Sequence, residues 1–165
     1  MNKKEIQVIQ QAILNEIEGY EFYKMASKNA QNSSVANMLM NLAEEELKHV
    51  EWLRILFNNI KDNPSDDLSL ATIDEIEVPS PGIYTWDNVK DKDPALGVTV
   101  FSIGMQMEKD SVAFYKKAHD NTKNEHARKL YEKLILWENV HLELFSKEYN
   151  ELKSQWWSSQ GFEPF

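Results

Sequence analysis

The sequence predicts an all-α protein: a four-helix bundle made of two helical hairpins joined by one long crossover. Three observations carry this. Four segments show an apolar stripe at three- and four-residue spacing, the breaks within each pair are three residues long, and a shift of 92 residues lays the second pair on the first. Glu16 then falls on Glu108, Phe22-Tyr23-Lys24 on Phe114-Tyr115-Lys116, Ala26 on Ala118, Leu42 on Leu134, Glu46 on Glu138, His49 on His141 and Glu51 on Glu143.

The first helix, α1, is expected over 3–29, with Ile6, Ile9, Ile13, Glu16, Tyr20 and Tyr23 on its inner stripe. The second, α2, is expected over 34–61, capped by Ser33 or Ser34, with Val35, Leu39, Leu42, Glu46, His49, Leu53 and Leu56 inward. The third, α3, is expected over 94–120, with Val98, Phe101, Met105, Glu108, Val112 and Tyr115 inward. The fourth, α4, is expected over 124–154, capped by Asn124, with Ala127, Tyr131, Leu134, Glu138, His141 and Phe145 inward. Breaks as short as Gln31-Asn32-Ser33 and Asn121-Thr122-Lys123 make the helices of each pair antiparallel neighbours.

The connection at 62–93 contains Pro64, Pro79, Pro81 and Gly82 and has no helical period. At about 30 residues it is too long for an ordinary loop, but bundles of the ferritin-like kind need one crossover of that reach. Ile73, Ile76, Val78, Ile83, Tyr84 and Trp86 are positioned to pin it to the bundle. Residues 1–153 are thus one bundle domain, and 154–165, with Trp156 and Trp157, form an aromatic C-terminal tail expected to dock on the bundle or on a partner subunit.

Composition narrows the chemistry. The 165-residue chain has a formal net charge of −9, which disfavours nucleic acid, since a phosphate backbone calls for a basic face. It has no cysteine, which excludes disulfides, thiolate zinc sites and iron–sulfur clusters. No run of apolar residues is long enough for a membrane span or a secretory leader, so a cytoplasmic location is expected.

Each inner stripe carries an acid near its middle, and in α2 and α4 a histidine follows three residues later on the same face. Burying four carboxylates costs on the order of several kcal/mol each unless they are paired or metallated, and no Lys or Arg interrupts these central stripe positions. Two divalent ions resolve this: four ionised glutamates and two neutral imidazoles balance their charge. One glutamate from each of two helices, plus a Glu-x-x-His from each of the other two, is the di-iron and di-manganese bundle pattern. A single Glu-x-x-His usually means a solvated helix face. Two of them at matching places in a repeat, each 30 residues after a stripe glutamate, do not fit that reading.

The expected metal ligands are therefore Glu16, Glu46, His49, Glu108, Glu138 and His141, with Glu46 and Glu138 as bridges. Glu16 and His49 would serve one ion and Glu108 and His141 the other. Without metal, some of the four carboxylates must protonate, and their pKa values should rise. Tyr23 and Tyr115 are expected to hydrogen-bond ligand carboxylates on neighbouring helices, and Glu45 to reach a ligand histidine. Glu18, Glu21, Glu44 and Glu51 are read as solvated, and the methionines at 38, 40, 105 and 107 as core filler.

Glu-x6-Tyr at 16 and 23 and Glu-x-x-His at 46 and 49, repeated at 108, 115, 138 and 141, resemble the rubrerythrin and bacterioferritin branch of the ferritin-like superfamily. The segments NEIEGYEFY, AEEELKHVEWL and QMEKDSVAFY look closest to stand-alone rubrerythrin-like proteins. The resemblance implies two iron ions at the six ligands, with Mn or Zn as alternatives. It implies a di-iron oxidoreductase of peroxidase or ferroxidase type, active against oxidative stress, that reduces hydrogen peroxide or O2 with electrons from a separate donor protein. An iron-handling ferroxidase with Fe2+ as substrate, or a non-catalytic metal-stabilised interaction module, are the alternatives. A homodimer or higher homo-oligomer is expected.

Two departures qualify the resemblance. The family's usual rubredoxin domain needs cysteines that this chain lacks, and the extra glutamate three residues after the α3 ligand is Ser111 here, with Gly19 as its repeat mate. Ser111 and Gly19 imply a more static, symmetric centre than is usual in the family. Leu47 stands where bacterioferritins place the haem methionine, so no haem is expected.

Overall fold

A computed structural model of the chain describes residues 3–61, 73–78 and 94–161, with side chains from 97 onward in the last stretch. Four helices make up nearly all of it: α1 (Lys3–Asn29), α2 (Ser33–Lys61), α3 (Pro94–Asn121) and α4 (Glu125–Ser159). They form a ferritin-like four-helix bundle in which α1 packs along α2 and α3 along α4.

The turns are set by local polar side chains. Asn32, not Ser33 or Ser34, caps α2: its Oδ1 accepts from the backbone N–H groups of Ser34 at 2.8 Å and Val35 at 3.2 Å. Ser27 ties the same turn by donating to the Ala36 carbonyl at 2.7 Å. Asn124 caps α4, as expected, accepting from Ala127 N–H at 2.9 Å.

The fourth helix overruns its expected end. It continues through the segment read as a separate tail as far as Ser159, because nothing between Leu152 and Gln160 breaks a helix. The stop comes at Gly161, whose φ of 72° is the left-handed geometry that terminates helices. Trp157 lies at the surface, 40% exposed, and 162–165 fall outside the described residues.

Of the crossover only 73–78 is described. Ile73 is fully buried, Ile76 packs on the same apolar cluster, and Lys129 holds Asp74 at 2.7 Å. Lys133 donates to the carbonyls of Asp74 and Ile76 at 3.1 and 3.0 Å. Ile83, Tyr84 and Trp86 lie outside the described residues.

The core is split in two. One apolar cluster contains Ile9, Leu53, Leu56, Tyr115, Leu130, Tyr131 and Leu134. The other contains Tyr23, Leu39, Leu42, Phe101, Leu144 and Phe145. In the second, Gly104 allows the Phe145 ring to approach the α3 backbone: a Cβ there would lie 2.9 Å from Cε1. Met38 is buried, and Met40 and Met105 pack on this cluster, as core filler should. The middle of the bundle, between the clusters, is polar.

Candidate metal centre

The mid-bundle position of the stripe acids follows from helix geometry. One turn separates Glu46 from His49 and Glu138 from His141, so each pair projects from one face toward the axis. All six expected ligands are buried: Glu16, Glu46, Glu108 and Glu138 are at most 3% exposed, and both histidines are fully buried.

The structure brings them together in two overlapping clusters. Glu16, Glu46, His49 and Glu138 offer donor atoms within 4.8 Å of one another, and so do Glu46, Glu108, Glu138 and His141. Glu46 and Glu138 belong to both. Both imidazoles turn Nδ1 inward: His49 Nδ1 lies 3.1 Å from Glu16 Oε2, 3.2 Å from Glu46 Oε2 and 3.1 Å from Glu138 Oε1. His141 Nδ1 lies 3.3 Å from Glu46 Oε1 and from Glu138 Oε2, and 3.7 Å from Glu108 Oε1.

The tyrosines cross between hairpins. Tyr23 on α1 donates to Glu108 on α3, and Tyr115 on α3 donates to Glu16 on α1. Both phenols are pushed well up, first by burial and then by the glutamates around them, so they remain donors. Glu45 accepts from His141 Nε2 at 2.7 Å and from Trp137 Nε1 at 3.1 Å.

The expectation that some of the four carboxylates rise is met by two of them. Burial, reinforced by the charges of Glu138 and Glu46, raises Glu16 and Glu108 well above the ordinary carboxylate range. Burial also pushes on Glu46, but hydrogen bonds from Glu16, His141 and His49 outweigh it and hold Glu46 well below that range. Glu138 is likewise lowered: burial and Glu46 oppose ionisation, and the charge on His49 and the close approach of both imidazoles prevail. Burial disfavours both imidazolium ions, yet the glutamates around them raise both histidines well above the usual value. In the metal-free site these directions favour protons on Glu16, Glu108 and both imidazoles, and ionised carboxylates at Glu46 and Glu138.

Such a set fits divalent metal. Both Glu138 oxygens are buried without a hydrogen-bond partner of proper geometry among the described residues, which is costly unless a cation completes them. Carboxylate and imidazole donors suit iron, manganese and zinc alike.

The rubrerythrin family profile matches residues 7–149. The chain belongs to the rubrerythrin family. Two solved structures share its fold. A hypothetical protein from Pyrococcus furiosus is 22% identical at a TM-score of 0.70, covering 92% of this chain and 91% of that one. A dodecameric thioferritin, the bacterioferritin-related protein from Bacteroides fragilis, is 14% identical at a TM-score of 0.69, covering 94% and 90%. No curated protein matches the chain significantly. Among the described residues, no helix of this rubrerythrin-family chain is long and apolar enough to cross a membrane.

Sequence reasoning passed over three buried residues. Glu5 accepts from Thr122 Oγ1 at 2.8 Å and from the Tyr131 hydroxyl at 3.1 Å, tying the start of α1 to the α3–α4 turn. Glu148 is buried on the α4 face where its repeat mate is the core residue Leu56. Trp137 lies against His49. The repeat alignment carried a signal for the last two, as the positions where the halves disagree in chemical type.

Proposed function

We propose that this chain is a non-haem di-iron oxidoreductase that reduces hydrogen peroxide or O2 with electrons from a separate donor protein. The observation that carries the reading is the pair of buried four-donor clusters sharing Glu46 and Glu138, with a tyrosine hydroxyl on each unshared glutamate. Glu16 and His49 would hold one ion, Glu108 and His141 the other. Bound iron supplies the electrons and polarises the oxidant; peroxide takes up two electrons and two protons to become two waters.

The chain's own residues set the conditions. Tyr23 and Tyr115 occupy one oxygen of Glu108 and Glu16, fixing those carboxylates and leaving the second oxygen for metal. The flanking apolar clusters keep bulk water from the centre, which strengthens every charge interaction within it. With no cysteine, the chain has no redox thiol and no cysteine-ligated iron of its own, so reducing equivalents come from outside it.

A second reading, iron oxidation with Fe2+ as substrate, is favoured by Ser111 and Gly19: neither adds a fifth carboxylate, and a Cβ at 19 would already lie 3.4 Å from Glu46 Cγ. A homo-oligomer is part of the proposal, supported by the dodecameric Bacteroides fragilis neighbour and tested by sedimentation. Anaerobic Fe2+ reconstitution followed by rapid mixing with peroxide and, separately, with O2 decides between the readings. Faster oxidation by peroxide, reversed by added reductant, supports the first. Oxidation by O2 with iron mineral accumulating supports the second. Metal bound without redox change contradicts both.

A further inference from the structure

The donors in the centre obey the internal repeat without exception. Glu16 has Glu108, Glu46 has Glu138, His49 has His141, and Tyr23 has Tyr115. The residues behind the two imidazoles do not. Glu45, immediately before the α2 glutamate, has Trp137 as its mate, and Trp52 has Leu144.

The consequence is visible on the outer edge of each ring. His141 Nε2 meets the Glu45 carboxylate at 2.7 Å, and Trp137 Nε1 donates to the same Glu45 oxygen at 3.1 Å. His49 is backed by indoles instead: Trp137 lies edge-on at 5.1 Å between centroids, and Trp52 at 5.6 Å. Its Nε2 is buried and has no hydrogen-bond partner among the described residues. Neither indole can accept in the plane of a ring N–H, since the indole nitrogen is a donor only, and that of Trp137 points to Glu45.

We infer that the two metal positions are inequivalent: the one served by Glu108 and His141 binds tightly and fills first, and the one served by Glu16 and His49 binds weakly and exchanges. The inference rests on the metal-centre reading above. A carboxylate behind a ligand imidazole fixes the ring and the tautomer that presents Nδ1 to the metal, and makes the ring a better electron donor. Such support is worth roughly 10–100-fold in metal affinity. His141 has it and His49 does not. Glu45 is therefore a positioning residue that acts through His141, and Trp137 is the substitution that breaks the symmetry of the repeat. The donors match across the repeat, and what stands behind them does not.

The test is anaerobic titration of the metal-free full chain with Co2+, read by its visible absorption and by hyperfine-shifted imidazole N–H resonances. The wild-type chain should bind two ions in steps separated by about 10–100-fold. At one equivalent, the N–H signal of His141 should be shifted and that of His49 should not. Glu45→Gln keeps the size and the acceptor for Trp137 but removes the charge; its first step should weaken by about 10-fold or more, drawing the two steps together. Trp137→Glu should tighten the second step. Circular dichroism and melting curves verify that each variant is folded, and Glu45→Asp should recover part of the separation. Equal shifts of both imidazoles at one equivalent, or two steps unchanged in Glu45→Gln, would overturn the inference while leaving the metal centre intact. No Co2+ uptake by the wild-type chain would overturn the metal centre itself, and the inference with it.

Discussion

Binding two divalent ions should expel four protons, one each from Glu16, Glu108, His49 and His141. The count follows from the directions in the metal-free centre, where burial raises Glu16 and Glu108 and the surrounding glutamates raise both imidazoles, so these four groups are the ones that hold protons against metal. A ligand carboxylate and a ligand imidazole must both give up their proton to the metal. With two protons displaced per ion, apparent affinity should fall about 100-fold for each unit of pH lowered, or about 2.7 kcal/mol per ion. The sign is the same for all four groups: each is raised in the folded chain, so each competes with metal more strongly as pH falls. Titration calorimetry at pH 7 in buffers of different ionisation enthalpy measures the count directly. The slope of observed enthalpy against buffer ionisation enthalpy should be near four protons for two ions. A slope near zero would mean that the carboxylates are already ionised and the imidazoles neutral, and would refute the placement of protons described above.

Three other predictions follow from the packing. Glu46→Ala should abolish metal uptake while Glu44→Ala retains it, because Glu46 belongs to both donor clusters and Glu44 is exposed; equal metal content in the two, by elemental analysis, would overturn the stripe argument. Glu148 is raised to about 7 by burial and by Glu151. The folded chain therefore holds a proton between pH 4.5 and about 7 that the unfolded chain has lost, and stability drops as pH rises through that window. Discounted for the partial solvation of this site, the penalty is on the order of 1 kcal/mol above pH 7, so Glu148→Gln should stabilise the metal-free chain in urea at pH 8 and leave it unchanged near pH 4. Gly104→Ala places a methyl 2.9 Å from the Phe145 ring. Overpacking of about 1–3 kcal/mol should exceed the helix-propensity gain of about 1 kcal/mol, so the melting temperature should fall; a rise would show that the ring yields freely.

The bundle was legible because its signals are periodic. Stripes such as Leu39, Leu42, Glu46 and His49 state both the helix and its buried face, and the 92-residue repeat pairs each acid with a counterpart. The same pattern named the six side chains that the structure gathers at mid-bundle. Features decided by a single contact were less visible. Asn32 outcompetes two serines as the α2 cap because its side chain bonds two successive backbone N–H groups, a matter of turn geometry rather than composition. Glu5 reads as an ordinary acid at a helix start, and only the fold brings Thr122 and Tyr131 to it. Which of the carboxylates rise was not legible for a related reason. Treating four carboxylates alone leaves out the two histidines, which share the same space and take up the charge.

The most direct test of the central claim is a crystal structure of the iron-loaded chain with anomalous diffraction measured on both sides of the iron edge. Two iron peaks per chain are expected, roughly 3.5–4 Å apart, with Glu46 and Glu138 between them, Glu16 and His49 on one, and Glu108 and His141 on the other. A single peak, or peaks held by any other set of side chains, would contradict the account.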